Sequence, residues 1–312
     1  MTQGRGVFGA LGQGPDIRDS AKFKAVNSFK LSDGEELPVR LTSAGWGHTA
    51  AISDTGKLYL FGRPFDFKIL MRIDSIYKIS SWLARSISSS SSFFGAANKI
   101  GYYPTPLPIE VEAPVTDIKC SAGLTVLLTE AGKVFTFGLN RWGQCGVFIA
   151  PPFAPIAKNY APHVLEPTQV EIPPCQAVDA GLQHCLALTQ TGEIYAWGKA
   201  SRGQMGNVMA EPKAMPPYAL PALVKLEPFK EHKGKAFANG AEVEPVKAAQ
   251  ISAGFAHSAA LSTEGQVYVW GKGMALEVKD TVAGLYLTSF QAFPPSSLEY
   301  NFYCSLLQVV QL

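Results

Sequence analysis

The chain has 312 residues, 47% of them hydrophobic, enough to bury a large core as one repeat-built domain or as two ordinary ones. Its 27 Lys and Arg against 25 Asp and Glu leave a formal charge of only +2, so no global field favours nucleic acid or an anionic membrane, and any basic contact must be local. The 29 glycines and 22 prolines are scattered through the chain, which suits many short strands joined by tight turns and leans towards an all-β fold.

In chain order, a glycine spacing Gly-x4-Gly-x2-Gly comes first, at Gly4, Gly9 and Gly12. The next element is a hairpin, LTSAGWGHTAAISDTGKLYLFG, from Leu41 to Gly62. It recurs as IKCSAGLTVLLTEAGKVFTFG (Ile118–Gly138), AVDAGLQHCLALTQTGEIYAWG (Ala177–Gly198) and QISAGFAHSAALSTEGQVYVWG (Gln250–Gly271). In each copy a short apolar run forms one strand, a turn glycine (Gly56, Gly132, Gly192, Gly265) reverses the chain, and an alternating run ending in aromatic-Gly returns. Gly45, Gly181 and Gly254 precede the turn glycine by a constant interval, whereas Gly123 reads as the same residue in a shortened copy. The Gly-x4-Gly-x2-Gly spacing returns after the second and third copies, at Gly138, Gly143, Gly146 and at Gly198, Gly203, Gly206. Its occurrence at Gly4 means that the opening residues follow a strand expected before Met1 or supplied elsewhere in a ring.

Two segments separate the repeats. Residues 63–115 hold FDFKILMRIDSIYKISSWLARSI, a serine run and the proline-rich YYPTPLPIEVEAP, and residues 207–247 hold prolines with Lys225, Lys230, Lys233 and Lys235. Ile69, Ile73, Ile76, Leu83 and Ile87 fall on one face of a helix, with Lys68, Arg72, Lys78 and Arg85 among them, so a basic amphipathic helix is expected there. The bland alternative is a helix that packs against the side of the fold. The domain reading is therefore residues 1–273 as blades with insertions at 63–115 and 207–247, and residues 274–312 as a degenerate C-terminal blade or irregular tail.

The combination of Ala-Gly-x-x-His, turn glycine, aromatic-Gly and Gly-x-x-Gly resembles the RCC1 (regulator of chromosome condensation) repeat family. The resemblance implies an all-β fold, a β-propeller of RCC1-type repeats. Four repeats are clear, so a five-bladed ring, an open partial ring and part of a longer chain all fit.

The sequence offers little chemistry. His48, His184 and His257 recur in register, and a residue repeated around a ring is set by blade architecture, whereas a catalytic base is needed once. His163 and His232 read as loop residues without metal-ligand neighbours. Gly4 to Gly9 formally matches the dinucleotide fingerprint, but its glycines belong to the repeat grid and no βαβ unit follows. Asp54, Asp179 and Glu264 read as turn or blade-edge carboxylates. No catalytic, cofactor-binding or metal residue is assigned, and no cofactor is expected. Cys120, Cys145, Cys175, Cys185 and Cys304 lack zinc spacing and read as reduced thiols of an intracellular protein, whether of nucleus, cytoplasm or mitochondrion. No uncharged apolar run reaches the roughly 18 residues of a membrane span, and no secretory signal is expected.

The expected function is a non-enzymatic protein-binding surface, a scaffold or regulator. Through the resemblance, its most specific form is guanine-nucleotide exchange on a small GTPase. The alternative is an organellar, for example mitochondrial, assembly factor for a protein or ribonucleoprotein complex. Chromatin binding is disfavoured by the near-neutral charge, nucleic acid is expected only within a ribonucleoprotein, and no small-molecule substrate is expected. The candidate partner surface is Trp46 and Phe255, which follow the Ala-Gly pair as Leu182 does, with Arg72, Lys78, Trp82 and Arg85 of the first insertion.

Overall fold

The computed structural model describes residues 1–5, 9–14, 19–26, 38–63, 103–147, 163–206, 219–226 and 246–271, and every helix or strand assigned among them is a β-strand. An N-terminal pair, β1 (Thr2–Arg5) and β2 (Asp19–Lys24), forms a two-stranded sheet. Blade one follows as β3 (Val39–Ala44), β4 (His48–Ser53), β5 (Leu58–Gly62) and β6 (Tyr103–Ile109). Blade two is β7 (Val115–Cys120), β8 (Leu124–Thr129), β9 (Val134–Leu139) and β10 (His163–Gln169). Blade three is β11 (Cys175–Ala180), β12 (His184–Thr189), β13 (Ile194–Gly198) and β14 (Ala219–Val224). Blade four has β15 (Ala248–Ala253), β16 (His257–Ser262) and β17 (Val267–Gly271) among the described residues.

Each blade is an antiparallel meander, with neighbours in chain order paired side by side. A lone meander of this size leaves both apolar faces in water, so the blades must stack. The second strands β4, β8 and β12 are wholly or largely buried along their length, and their faces lie against the first strands β7, β11 and β15 of the following blade. First strands of successive blades also meet, β3 with β7, β7 with β11 and β11 with β15, which makes them the inner strands of a radial array. The fold is thus all-β, with the blades of a propeller in an open succession. One apolar cluster runs through blades one to three, from Leu60 to Trp197, and a second joins blades three and four around Leu186, Tyr268 and Trp270.

The fourth strands β6 and β14 lie inside the two long inter-repeat segments. The proline-rich stretch of the first is itself a strand. Pro104, Pro106 and Pro108 alternate along β6, the outer strand of its sheet, where their missing N–H groups can face away from β5. Two readings of the sequence are corrected. His163 is not a loop residue but opens β10 and is buried. The second copy is not shortened either. The registers Val39↔Ser53, Val115↔Thr129, Cys175↔Thr189 and Ala248↔Ser262 enclose hairpins of one length, each with a bulge at the same place. Ser121, whose N–H donates to Leu124 O as Gly45 donates to His48 O, therefore holds the glycine position, and Gly123 lies two places further on.

Candidate interaction surface

Antiparallel connectivity puts the loops from first to second strand and from third to fourth strand at one end of the blades, and the turns from second to third strand at the other. What holds the loop end in place is a bond pattern repeated at the seams. The Nε2 of His48 lies 3.0 Å from Thr125 Oγ1 of the next blade, and His184 Nε2 lies 3.0 Å from Ser258 Oγ. Burial holds both imidazoles well below the ordinary histidine range, at about 4, so they are neutral. Each ring lies against the glycine three residues before it: a Cβ on Gly45, Gly181 or Gly254 would run into the imidazole of His48, His184 or His257. Blade two has Leu124 in the histidine place, and there Ser121 replaces the glycine and Cys185 replaces the receiving hydroxyl. The three positions change together because they form one contact.

A second clasp binds each aromatic-Gly strand to the loop of the blade before. Trp197 Nε1 donates to Gln144 O at 3.0 Å and Trp270 Nε1 to Gln204 O at 2.9 Å. The indoles lie over Gly146 and Gly206, the third glycines of the Gly-x4-Gly-x2-Gly spacing, and Phe61 lies over Gly12 in the same way. Gln144 and Gln204 also bend their own loops, their Oε1 atoms accepting from the amides of Trp142 and Arg202 at 2.8 Å. Neither glutamine was singled out from the sequence. The signal was there in Gly-Gln-x-Gly, which stands at both loops. Asp179 is likewise no turn carboxylate: it sits in β11, where its Oδ1 accepts from Ala180 N at 2.9 Å and its Oδ2 from Ala253 N of blade four at 2.7 Å. Burial raises its pKa above the ordinary carboxylate range, partly offset by those amides and by Lys119.

On this frame the loop end presents Trp46, 76% exposed, and Phe255, 60% exposed, with the half-buried Ala122 and Leu182 in the corresponding places of the blades between. Both aromatics are large apolar side chains left in water, the informative kind of exposure. Trp142 is half-buried, with the Lys199 ammonium 4.4 Å from its ring centre and bonded to Gln183 Oε1 at 2.9 Å, a cation–π contact joining blades two and three. Arg141 and Arg202 stand exposed on the neighbouring loops. The described loops at this end, residues 45–47, 121–123, 139–146, 181–183, 199–206 and 254–256, contain no Asp or Glu. The turn end carries Asp54, Glu112, Glu130, Glu171, Glu193 and Glu264, with Lys57, Lys133 and Lys247 among them. Among the described residues the two ends therefore differ in sign. Arg72, Lys78, Trp82 and Arg85 lie outside the described residues, so Trp46 and Phe255 alone of the expected surface can be placed.

Among the described residues no group of three or more His, Cys, Asp or Glu could hold a metal ion, and no helix is long and apolar enough to cross a membrane. The thiols of Cys120, Cys145, Cys175 and Cys185 are unpaired, and burial pushes those of Cys120 and Cys175 up to about 12.

A family model described as the regulator of chromosome condensation (RCC1) repeat matches residues 131–188, and a second of the same description matches residues 175–204 and 248–273. Residues 131–204 and 248–273 thus match the RCC1 repeat, the likeness the glycine and histidine spacings pointed to. Among curated RCC1-type relatives, protein pim1 of Schizosaccharomyces pombe is 26% identical over 294 residues, covering 91% of this chain and 46% of that protein. The secretion-regulating guanine nucleotide exchange factor of Bos taurus is 26% identical over 287 residues, covering 91% and 50%. The chain thus spans about half the length of these relatives. The crystal structure of human WBSCR16 superposes with a TM-score of 0.60 at 17% identity, over 95% of this chain and 62% of that one, a likeness of fold. Blade two, with Ser121, Leu124 and Cys185 at its contacts, is where this chain departs from its own RCC1 repeat.

Proposed function

We propose that the chain is a non-enzymatic RCC1-type binding module whose loop end holds an acidic protein surface, as a scaffold or as a regulator of a small GTPase by guanine-nucleotide exchange. The observation that carries this reading is the pairing of exposed Trp46 and Phe255 with Arg141, Arg202 and Lys199, with no Asp or Glu among the described residues of these loops. Aromatic and Arg side chains are enriched at binding hot spots, and a one-signed face steers a partner of the opposite sign. The relative named as a guanine nucleotide exchange factor supports the GTPase form. Exchange needs no covalent chemistry from the binding module.

The test is affinity recovery of partners by the wild-type chain and by a Trp46→Ala, Phe255→Ala double variant, followed by GDP-release assays on a panel of small GTPases. Loss of a partner with the double variant supports the surface. Accelerated GDP release supports exchange, and inertness across the panel turns the reading to the scaffold form, including an organellar assembly factor. Partner recovery unchanged by the double variant, but lost on deletion of residues 66–100, would move the surface to the first insertion.

A further inference from the structure

At the seam between blades two and three the loop end holds one cation firmly. Lys199 N donates to Gln183 O at 2.8 Å and Lys199 Nζ to Gln183 Oε1 at 2.9 Å, while the same ammonium lies 4.4 Å from the centre of the Trp142 ring. Trp142 is fixed in turn. Its amide donates to Oε1 of the fully buried Gln144 at 2.8 Å, and Gln144 O accepts from Trp197 Nε1 at 3.0 Å, two residues before Lys199 in the same blade. One glutamine thus sets the ring and the ammonium from the two sides of a single seam. The pair is particular to this seam among the described residues. In the Gly-x4-Gly-x2-Gly grid Leu139 holds the place of Lys199 in blade two, and Arg202 holds the place of Trp142 in blade three.

What this ammonium lacks is a counter-ion. Lys119, Lys133 and Lys247 pair with carboxylates at 3.9, 2.9 and 3.5 Å, whereas Lys199 is half-buried and meets no carboxylate among the described residues. Surface ion pairs are weak largely because long side chains must give up rotamer freedom to form them. At Lys199 folding has already removed that freedom, so an anion arriving there gains more than it would at an exposed lysine such as Lys57. The indole covers one side of the ammonium and Gln183 takes one of its three N–H donors, which leaves donors for a further oxygen. We propose that Lys199 is the residue by which the loop end selects its partner, seating one Asp or Glu carboxylate of that partner against its ammonium beside the Trp142 ring. This rests on the binding surface proposed above and gives it a specificity-determining residue. A phosphoryl group suits the position less well, since an ammonium is a point charge without the fork of a guanidinium. Arg141 and Arg202 are exposed, and their guanidinium groups have no partner among the described residues to hold them, so they steer the approach and do not set the seat.

The experiment titrates the isotope-labelled full chain with acetyl-tetraglutamate amide and reads the Lys199 Nζ and Trp142 indole N–H signals by NMR. Both signals should shift saturably. Binding should weaken roughly tenfold with the tetraglutamine peptide, and as much when the chain carries Lys199→Met. Trp142→Leu should weaken it too, although the charge is kept, because the ammonium is then no longer held. Lys57→Gln, at the turn end, should change nothing, and unshifted indole signals of Trp197 and Trp270 confirm that each variant is folded. No saturation by about 20 mM peptide overturns the proposal, as does an equal response at Lys57 or binding indifferent to Trp142→Leu. Tighter binding of a tetrapeptide with two phosphoserines, of about the same charge, overturns the carboxylate as occupant. In the partner-recovery assay, a loss with Trp46→Ala, Phe255→Ala but not with Lys199→Met overturns this assignment and leaves the binding surface standing. Recovery indifferent to all three changes overturns the surface and this assignment with it.

Discussion

Substitution of Gly146 by Ala tests whether the clasp between blades limits stability. Gly146 has φ +65°, a left-handed conformation that is unfavourable by roughly 1–2 kcal/mol for a residue with a Cβ. The added methyl would also come within 2.7 Å of Trp197 Cδ1, and Trp197 is fully buried with its Nε1 tied to Gln144 O, so the indole has no room to retreat. Overpacking of that kind is destabilising by roughly 1–3 kcal/mol, giving a total of about 2–5 kcal/mol. Gly265 supplies the control: its φ is +82°, yet nothing lies within 4 Å of its Cβ position, so Gly265→Ala should lose only the backbone part, about 1–2 kcal/mol. Equilibrium urea unfolding followed by tryptophan fluorescence reads both. Equal losses at the two sites would refute the clasp, since backbone strain alone would then account for Gly146.

The remaining expectations concern the seams. The folded pKa values of His48 and His184 lie near 4, below the ordinary 6.5, so the stability these residues confer is present above pH 6.5 and falls as the unfolded chain takes up protons between pH 6.5 and 4. The slope approaches roughly 1.4 kcal/mol per pH unit for each histidine, and His48→Leu with His184→Leu should flatten urea midpoints measured across that window. Leu124→His alone should destabilise blade two by roughly 1–3 kcal/mol, by placing an unpaired imidazole against Cys185 and the Ser121 Cβ. Adding Cys185→Ser and Ser121→Gly should restore much of that loss, a coupling that a mutant cycle measures. Cys120, Cys145, Cys175 and Cys185 should stay unlabelled by a thiol reagent at pH 8 until urea unfolds the chain, because burial keeps each protonated; mass mapping of labelled peptides checks this.

Strand positions were legible in the sequence because the turn glycines and the aromatic-Gly pairs mark backbone conformations that other residues resist, as at Gly56 and Gly192. The second hairpin was misaligned for a reason of the same kind. Gly123 looked like the seam glycine, but that glycine exists only to make room for a histidine ring, and with Leu124 in place of the histidine the position could become Ser121. Residues that act between blades were harder to see, since Asp179 and Ala253, or Gln144 and Trp197, are far apart in sequence and meet only once the blades stack. The exposed aromatics were found because they stand at repeat positions. The sign difference between the described residues of the two ends does not show in a charge summed over the chain; it emerges only when charges are sorted by the alternation of loops and turns.

The seams use the face of each blade, through histidine, tryptophan and the loop carbonyls, whereas Trp46, Phe255, Arg141 and Arg202 point away from them at the loop end. Stability thus rests on other residues of these loops than those of the proposed binding surface. Trp46 shows the division within a single residue: its amide donates to Ser121 O of the next blade at 3.3 Å, while its side chain stands in water. A change of side chain there leaves the backbone link in place, so the loop end can vary in chemistry without loosening the blades. The seam residues have no such freedom. Where one of them differs, as at Leu124, its partners Ser121 and Cys185 differ with it.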